Sequence, residues 1–142
     1  MQNRKELFDP PVMRHEGSLQ DCLRTNDLEL VGDGTHLTYF QMLGNFSYGL
    51  NDYELSVDLW SRILLQLGLP PQGLVVHVHP ERPDHRLLWE QRGYPVQPDP
   101  ECLWSDGRIG GHCCEIYRDG LEIGNLMKTP TAKLNAWRGF PA

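Results

Sequence analysis

The sequence lacks an apolar run long enough to cross a membrane, and it has no surplus of positive charge. Asp and Glu number 19 against 13 Lys and Arg, so the formal net charge is −6. Proteins that bind nucleic acid non-specifically usually present a basic face, so this balance argues against such binding. No charged-then-apolar pattern follows Met1, and we therefore expect no secretory signal and a cytoplasmic location.

Cysteine is scarce, and its spacing is unlike that of a disulfide framework. The chain has four cysteines, of which Cys113 and Cys114 are adjacent, and a bridge between neighbours is strained. We expect reduced thiols. Histidines and cysteines together suit zinc, but no Cys-x-x-Cys occurs and the spacing matches no standard zinc finger, so zinc is not expected. The residues weighed for such a site are His77, His79, His85, Cys102, His112, Cys113 and Cys114.

Several catalytic signatures are also missing. There is no Gly-Lys-Ser/Thr phosphate loop, no dinucleotide-binding glycine pattern after a strand, and no Ser, His and Asp grouping with motif context. A length of 142 residues with 39% hydrophobic residues suits a single domain with a real core. We expect an irregular N-terminal segment over 1–17, a folded core over 18–127 and an irregular tail over 128–142.

Residue periodicity predicts an α+β fold, an antiparallel sheet flanked by two helices. The first helix is predicted over 52–67, capped by Asn51 with Glu54 three residues later. Its predicted apolar face is Leu55, Leu59, Trp60, Ile63, Leu64 and Leu67. The second helix is predicted over 84–92, with Leu87, Leu88 and Trp89 toward the core. Strands are predicted over 19–24, 36–43, 74–78, 113–118 and 121–127, the last two joined by the Asp119-Gly120 turn.

The first two strands carry a pattern that suits a nucleotide. An arginine can bind a phosphate through two charge-assisted hydrogen bonds, and an aromatic ring can form a flat wall for adenine. Arg24 and Phe40 supply these two groups. His36 lies four residues before Phe40 and is predicted on the same face of the strand. Taken alone, an arginine on a strand is more often a solvated surface charge, and a phenylalanine is more often a core residue.

The stretch that holds these residues, DCLRTNDLELVGDGTHLTYFQMLGNFSYG over 21–49, resembles the second signature motif of class II aminoacyl-tRNA synthetases, in the form used by alanyl-tRNA synthetases. The resemblance continues in the same order through 74–79, Trp104, CCEIYRD over 113–119, and 122–125. It covers roughly 20–127. The fold it implies is a trimmed class II synthetase catalytic core.

The resemblance implies roles for residues in two groups. For catalysis and ATP binding they are Arg24, at the α-phosphate, with Asn26, Asp27, His36 and Phe40. For an amino-acid pocket they are Met42, Trp104, Gly124 and Asn125. Apart from the resemblance, Glu115 and Glu122 lie on neighbouring strands of the predicted hairpin and could hold the Mg²⁺ that ATP chemistry requires. The alternatives are core packing for Met42 and Trp104, a strand-edge amide for Asn125, and two surface carboxylates for the glutamates.

Parts of the family pattern are not found. Thr25 stands where a glycine-rich segment with a lysine is usual, and Gly124 stands where a tryptophan is usual. The first motif is missing or reduced to residues 1–17, the third motif is not found, and the tRNA-recognition and editing regions have no counterpart in this sequence. Two functions follow: ATP-dependent activation of alanine or a similar amino acid for an acceptor other than tRNA, such as a carrier protein, or a non-catalytic module that binds a nucleotide or a partner chain. A small zinc-stabilised domain is a third reading. Binding of tRNA is not expected.

Overall fold

A computed structural model describes residues 13–48, 53–105 and 110–128. The chain divides into two compact units, Met1–Asn51 and Asp52–Ala142. The predicted cap Asn51 and nearly all of the predicted C-terminal tail lie outside the described residues. In the part that is described, no helix is long and apolar enough to cross a membrane.

The first unit is a long antiparallel hairpin. Strand β1 (Arg14–Leu23) pairs with β2 (Tyr39–Tyr48) in one continuous register, and a short 3-10 turn, Leu28–Leu30, lies in the connection. The first strand is predicted from residue 19 but starts at Arg14, and the second is predicted over 36–43 but runs over Tyr39–Tyr48. Residues 14–17 have no apolar alternation, and backbone pairing with 45–48 holds them in the sheet. Residues 44–48 do alternate, with Phe46 and the buried Tyr48 on one face, and this pattern indicates the longer second strand.

The second unit combines two helices with a five-stranded sheet. The helices are α1 (Tyr53–Gln66) and α2 (Pro83–Glu90). The strand order is β4-β3-β6-β5, and β7 also pairs with β6. The strands are β3 (Val75–Val78), β4 (Val96–Pro98), β5 (Leu103–Ser105), β6 (Gly110–Arg118) and β7 (Leu121–Met127). The α+β prediction is confirmed, but β3 and β4 are parallel, so this sheet is mixed. Strands β4 and β5 have three residues each, too few to show a period.

The turn between β6 and β7 follows the prediction from Asp119-Gly120. Both residues have positive φ angles, 52° and 82°. This is the backbone that two-residue hairpin turns of type I′ require, and Asp and Gly tolerate it. The pairing of β6 with β7 shifts register between Ile116 and Tyr117, which marks a β-bulge.

The core of the second unit lies between the helices and one face of the sheet. Helix α1 buries Tyr53, Val57 and Leu64. Leu55 and Leu67, predicted on this face, are 47% and 67% exposed, because the buried stripe follows the spacing of 53, 57, 60 and 64. Leu59 and Leu87 are also exposed. The buried core consists of Tyr53, Val57, Leu64, Leu74, Val76, Val78, Trp89, Tyr94, Cys114 and Ile116.

Candidate functional site

The hairpin unit brings the predicted phosphate-binding arginine to the predicted adenine-stacking ring. Arg24 follows β1, and its backbone N–H donates to the carbonyl of Thr38 at 2.8 Å, which continues the ladder of the hairpin. Cys22 pairs with Phe40, so Arg24, two residues after Cys22, lies on the same face as the ring. The guanidinium carbon is 5.7 Å from the centroid of Phe40. This is the range of a cation–π contact.

The guanidinium of Arg24 makes only a weak ion pair with Asp27. Its guanidinium is 4.0 Å from the Asp27 carboxylate, and its side chain is 56% exposed. Exposed ion pairs of this length contribute little. The planar fork is therefore accessible to an anion. Asn26 is exposed in the turn beside Asp27.

An aspartate that the sequence reasoning missed organises the loop before β2. Asp33 accepts hydrogen bonds from the backbone N–H groups of Thr35 and His36, each 2.8 Å long. Its carboxylate also lies 2.6 Å from Nδ1 of His36. The backbone donors, followed by these side chains, hold the pKa of Asp33 well below its usual range. The Asp-Gly-Thr-His sequence is typical of an Asx turn, and that signal could have identified it.

This loop corrects the predicted position of His36. The second strand begins at Tyr39, so His36 lies in the turn that Asp33 fixes and not on a strand face shared with Phe40. Met42 does share that face, because it follows Phe40 by two residues in β2. It is 48% exposed. Met42 belongs to the hairpin unit, whereas the other predicted pocket residues belong to the second unit.

In the second unit, two predicted pocket residues lie on one face of the sheet. Residues that oppose each other in an antiparallel pair point to the same side. Trp104 opposes Gly111, and Glu115 opposes Asn125. Gly111 and Glu115 are four residues apart on β6 and so share a face. Trp104, Glu115 and Asn125 therefore point to the same side of the sheet.

Gly124 lies on the opposite face, where it contacts a helix. A Cβ added there would be 2.6 Å from Cη2 of Trp60, which belongs to α1. Adjacent residues on a strand point to opposite sides, so Gly124 and Asn125 do not line one pocket. This placement speaks against Gly124 as a pocket residue and makes it a packing residue beneath the sheet.

The two carboxylates predicted to hold Mg²⁺ both lie near the hydroxyl group of Tyr117. Tyr117 donates to Oε2 of Glu115 at 2.8 Å, and Glu122 opposes Tyr117 across the β6–β7 pair. Burial, the bond to Glu115, and the charges of both glutamates raise the pKa of Tyr117. Both carboxylates thus lie on the face that carries Asn125, and the magnesium assignment stays a prediction.

The same face carries a hydrogen-bonded histidine–aspartate pair and two thiols, of which the sequence analysis weighed His77, Cys102 and Cys113 only as zinc ligands. Nδ1 of His77 lies 2.9 Å from Oδ2 of Asp99, and this hydrogen bond is the main cause of the lowered pKa of Asp99. Cys102 and Cys113 are buried, and with Glu115 they bring three ligand atoms within 4.8 Å of one another. All four cysteines are free, as predicted. Asp99 follows β4, which is too short to show a periodic pattern, so the sequence does not predict the position of Asp99 beside His77.

Comparison with known proteins identifies the family. The sequence model described as "tRNA synthetases class II (A)" matches residues 5–136. The alanine–tRNA ligase of Desulfitobacterium hafniense is 43% identical over 121 residues, which is 78% of this chain and 14% of that protein. That of Rubrobacter xylanophilus is 41% identical over 133 residues, 81% of this chain and 15% of that protein. The chloroplastic/mitochondrial alanine–tRNA ligase of Oryza sativa subsp. indica is 37% identical over 112 residues, 70% of this chain and 11% of that protein.

The chain therefore spans about one seventh of the first two relatives, and it resembles their catalytic-core segment. The match covers the hairpin with Arg24 and Phe40 and the sheet with Trp104, Glu115 and Asn125. The chain belongs to the class II tRNA synthetase family, with alanine–tRNA ligases among its relatives.

Proposed function

We propose that the chain binds ATP at the hairpin and activates alanine, or a similar small amino acid, as its adenylate. The observation that carries this proposal is the placement of the Arg24 guanidinium over the Phe40 ring, on one face of the hairpin. Adenine would stack on Phe40, and the fork of Arg24 would bind the α-phosphate.

The chemistry explains why the arginine matters. In adenylate formation a carboxylate oxygen of the amino acid attacks the α-phosphorus, the bond to the β-phosphate oxygen breaks, and pyrophosphate leaves. Negative charge grows on the α-phosphoryl oxygens in the transition state, so a fixed cation accelerates the step. Arg24 is 56% exposed and its pairing with Asp27 is long, which leaves its donors open to phosphate.

The second unit offers groups for the amino acid and for the metal that accompanies ATP. Asn125 is exposed on the face that also carries Trp104, where its amide can bind the amino acid. Glu115 and Glu122 fit Mg²⁺ by donor type, since Mg²⁺ binds one or two carboxylates together with phosphate oxygens. When bound there, Mg²⁺ would supply positive charge.

The acceptor of the activated amino acid is also a proposal. The relatives are named as ligases that join alanine to tRNA, but this chain spans only 14% and 15% of the first two. Its net charge of −6 disfavours a polyanion as partner. We propose a carrier protein or a small metabolite as acceptor, with a partner chain completing the site where cations are missing.

A second candidate is a non-catalytic module that binds a nucleotide or a partner. The observation that favours it is the lack of a second cation in the sequence beside Arg24: Thr25 stands where the family has a lysine-containing segment. Losing one donor at a developing charge typically costs about 10²–10³ in rate. In this second proposal the Arg24–Phe40 pair binds the nucleotide, and no reaction follows.

The test is amino-acid-dependent ATP–pyrophosphate exchange together with calorimetric ATP binding. Arg24→Ala should abolish ATP binding and reduce exchange by about 10²-fold or more. Arg14→Ala is the matched control, because Arg14 lies at the other end of β1 with a similar exposure of 53%. ATP binding that requires Arg24 but gives no exchange with any amino acid would favour the binding module. Unchanged ATP affinity in Arg24→Ala would refute both functions.

A further inference from the structure

Three potential metal ligands from two segments of the second unit lie close together at the end of β3. His79 directly follows this strand, Glu81 comes two residues later, and His112 lies in β6. One ligand atom from each residue lies within 4.8 Å of the other two. The imidazole rings of His79 and His112 have centroids 4.5 Å apart. His112 is three residues from Glu115 on β6 and so points to the other side of the sheet from Glu115.

The spacing of the ligand atoms is close to that of a zinc site. In a tetrahedral site with bonds of about 2.0–2.1 Å, neighbouring ligand atoms are about 3.3 Å apart. Nε2 of His112 lies 3.8 Å from Oε2 of Glu81. The Glu81 side chain is 77% exposed, whereas that of His112 is only 12% exposed. A small rotation of Glu81 would close the remaining gap while the packed imidazoles stay in place.

Both imidazoles of the cluster are largely buried. His79 is 9% exposed, and the side chain of His112 is 12% exposed. Nδ1 of His79 accepts a hydrogen bond from the Glu81 backbone N–H at 3.2 Å, which links the first two residues of the cluster. The two rings are therefore held close together by the fold, and only the Glu81 side chain has to move to complete a site.

The charge around the cluster is compatible with a divalent cation. Arg82 is the nearby cation, and its guanidinium makes two hydrogen bonds to Asp84, of 2.9 and 2.6 Å. Its charge is thereby offset locally, and the Glu81 carboxylate adds a negative charge to the cluster.

We propose that His79, Glu81 and His112 bind a divalent transition-metal ion, with Zn²⁺ as the ion their two imidazoles and one carboxylate suit best. Three protein ligands leave the fourth position of a tetrahedral ion for water or for an anionic group of a substrate. The sequence does not predict zinc, because no standard ligand spacing occurs. The fold supplies the third ligand by placing β6 beside the end of β3.

The first experiment measures Zn²⁺ binding to the full chain by competition with a chromophoric chelator. We expect one equivalent to bind, and Glu81→Gln to weaken the binding at least about tenfold, as losses at metal-site residues typically do. The Glu81 side chain is exposed, so this variant should fold normally. Glu101→Gln, another exposed glutamate of the same unit, is the matched control and should bind like the parent. Circular dichroism verifies the fold of both variants.

A second experiment separates this cluster from the thiol group formed by Cys102, Cys113 and Glu115. Co²⁺ replaces Zn²⁺ as a spectroscopic probe, because thiolate ligands give intense charge-transfer bands that imidazole and carboxylate do not. We expect a Co²⁺ spectrum without such bands, retained in Cys113→Ser and lost in His112→Gln. Thiolate bands, loss of binding in Cys113→Ser, no bound metal, or full affinity in Glu81→Gln and His112→Gln would each overturn the proposal.

Discussion

Replacing Gly124 with alanine tests whether this residue packs against a helix or lines a pocket. The added Cβ would lie 2.6 Å from Cη2 and 2.9 Å from Cζ3 of Trp60. Carbon atoms in contact are normally about 3.5–4.0 Å apart, so the sheet and α1 must separate by about 1 Å or the indole must rotate. We expect Gly124→Ala to destabilise the second unit.

The magnitude follows from two opposing effects. Overpacking a well-filled site costs about 1–3 kcal/mol. Replacing glycine restricts the unfolded chain and returns about 0.4–1 kcal/mol. The net loss in the free energy of unfolding is therefore about 0.5–2 kcal/mol. For a unit of this size, each kcal/mol lowers the melting temperature by about 4–8 °C.

Urea unfolding followed by tryptophan fluorescence measures this effect. Every tryptophan of the chain lies in the unit over 52–142, so the signal reports on that unit. Gly73→Ala is the control, because a Cβ there meets nothing within 4 Å. We expect its free energy of unfolding to stay within about 0.5 kcal/mol of the parent value.

A double-mutant cycle with Trp60→Leu decides whether the indole is the cause, with circular dichroism as the signal. In the Trp60→Leu background the cost of Gly124→Ala should largely disappear. A cost that is the same in both backgrounds would refute the packing argument. So would a Gly124→Trp variant that keeps full stability and only changes the order of amino-acid substrates.

Two further predictions concern stability. Burial lowers the pKa of His85 from 6.5 to about 3, so the unfolded chain binds a proton that the folded chain does not, and stability should fall as pH drops from about 6.5 toward 3. Between pH 7 and 5 the free energy of unfolding should fall by about 2 kcal/mol. In urea unfolding, the stability of His85→Gln should depend less on pH than that of the parent. The same pH dependence in both proteins would show that His85 is not the cause. Gly120 has a φ of 82°, so Gly120→Ala should lower the free energy of unfolding by about 1 kcal/mol. Asp119→Gly should not destabilise the turn. Equal melting temperatures for Gly120→Ala and the parent would contradict the turn geometry.

The fold is predictable where one local signal dominates. The Asp119-Gly120 turn requires a backbone that few residues adopt, and the sequence predicts it to the residue. Strand β3 is a short β-branched run, and its predicted bounds are correct to within one residue. By contrast, the buried face of α1 is predicted only in part. Leucines occur around much of the helix, and tertiary packing decides that Leu64 is buried together with Val57, which the prediction omits.

Contacts within the hairpin are easier to predict than contacts within the second unit. Arg24 and Phe40 are linked by a pairing register that the two strands determine locally. The contacts of His77 with Asp99, and of His79 with His112, depend on the parallel and antiparallel neighbours that the second sheet selects. No periodicity in a single sequence specifies such neighbours. The side to which Gly124 points depends in the same way on the pairing of β7 with β6.

The register shift in the β6–β7 hairpin changes which residues of β7 can act together. In a regular strand, residues three apart point to opposite sides, so Glu122 and Asn125 would be separated by the sheet. Because the pairing slips by one residue, Glu122 opposes Tyr117 while Asn125 opposes Glu115, and all four reach the same side. Deleting one residue at the bulge would restore regular alternation along β7. The residues on one side of the deletion would then point to the opposite face of the sheet, so polar side chains would take the places of apolar ones. The arrangement of the β6–β7 hairpin therefore depends on its length, and a relative that lacks this extra residue would need an acidic residue at a different position to place the same groups on one face.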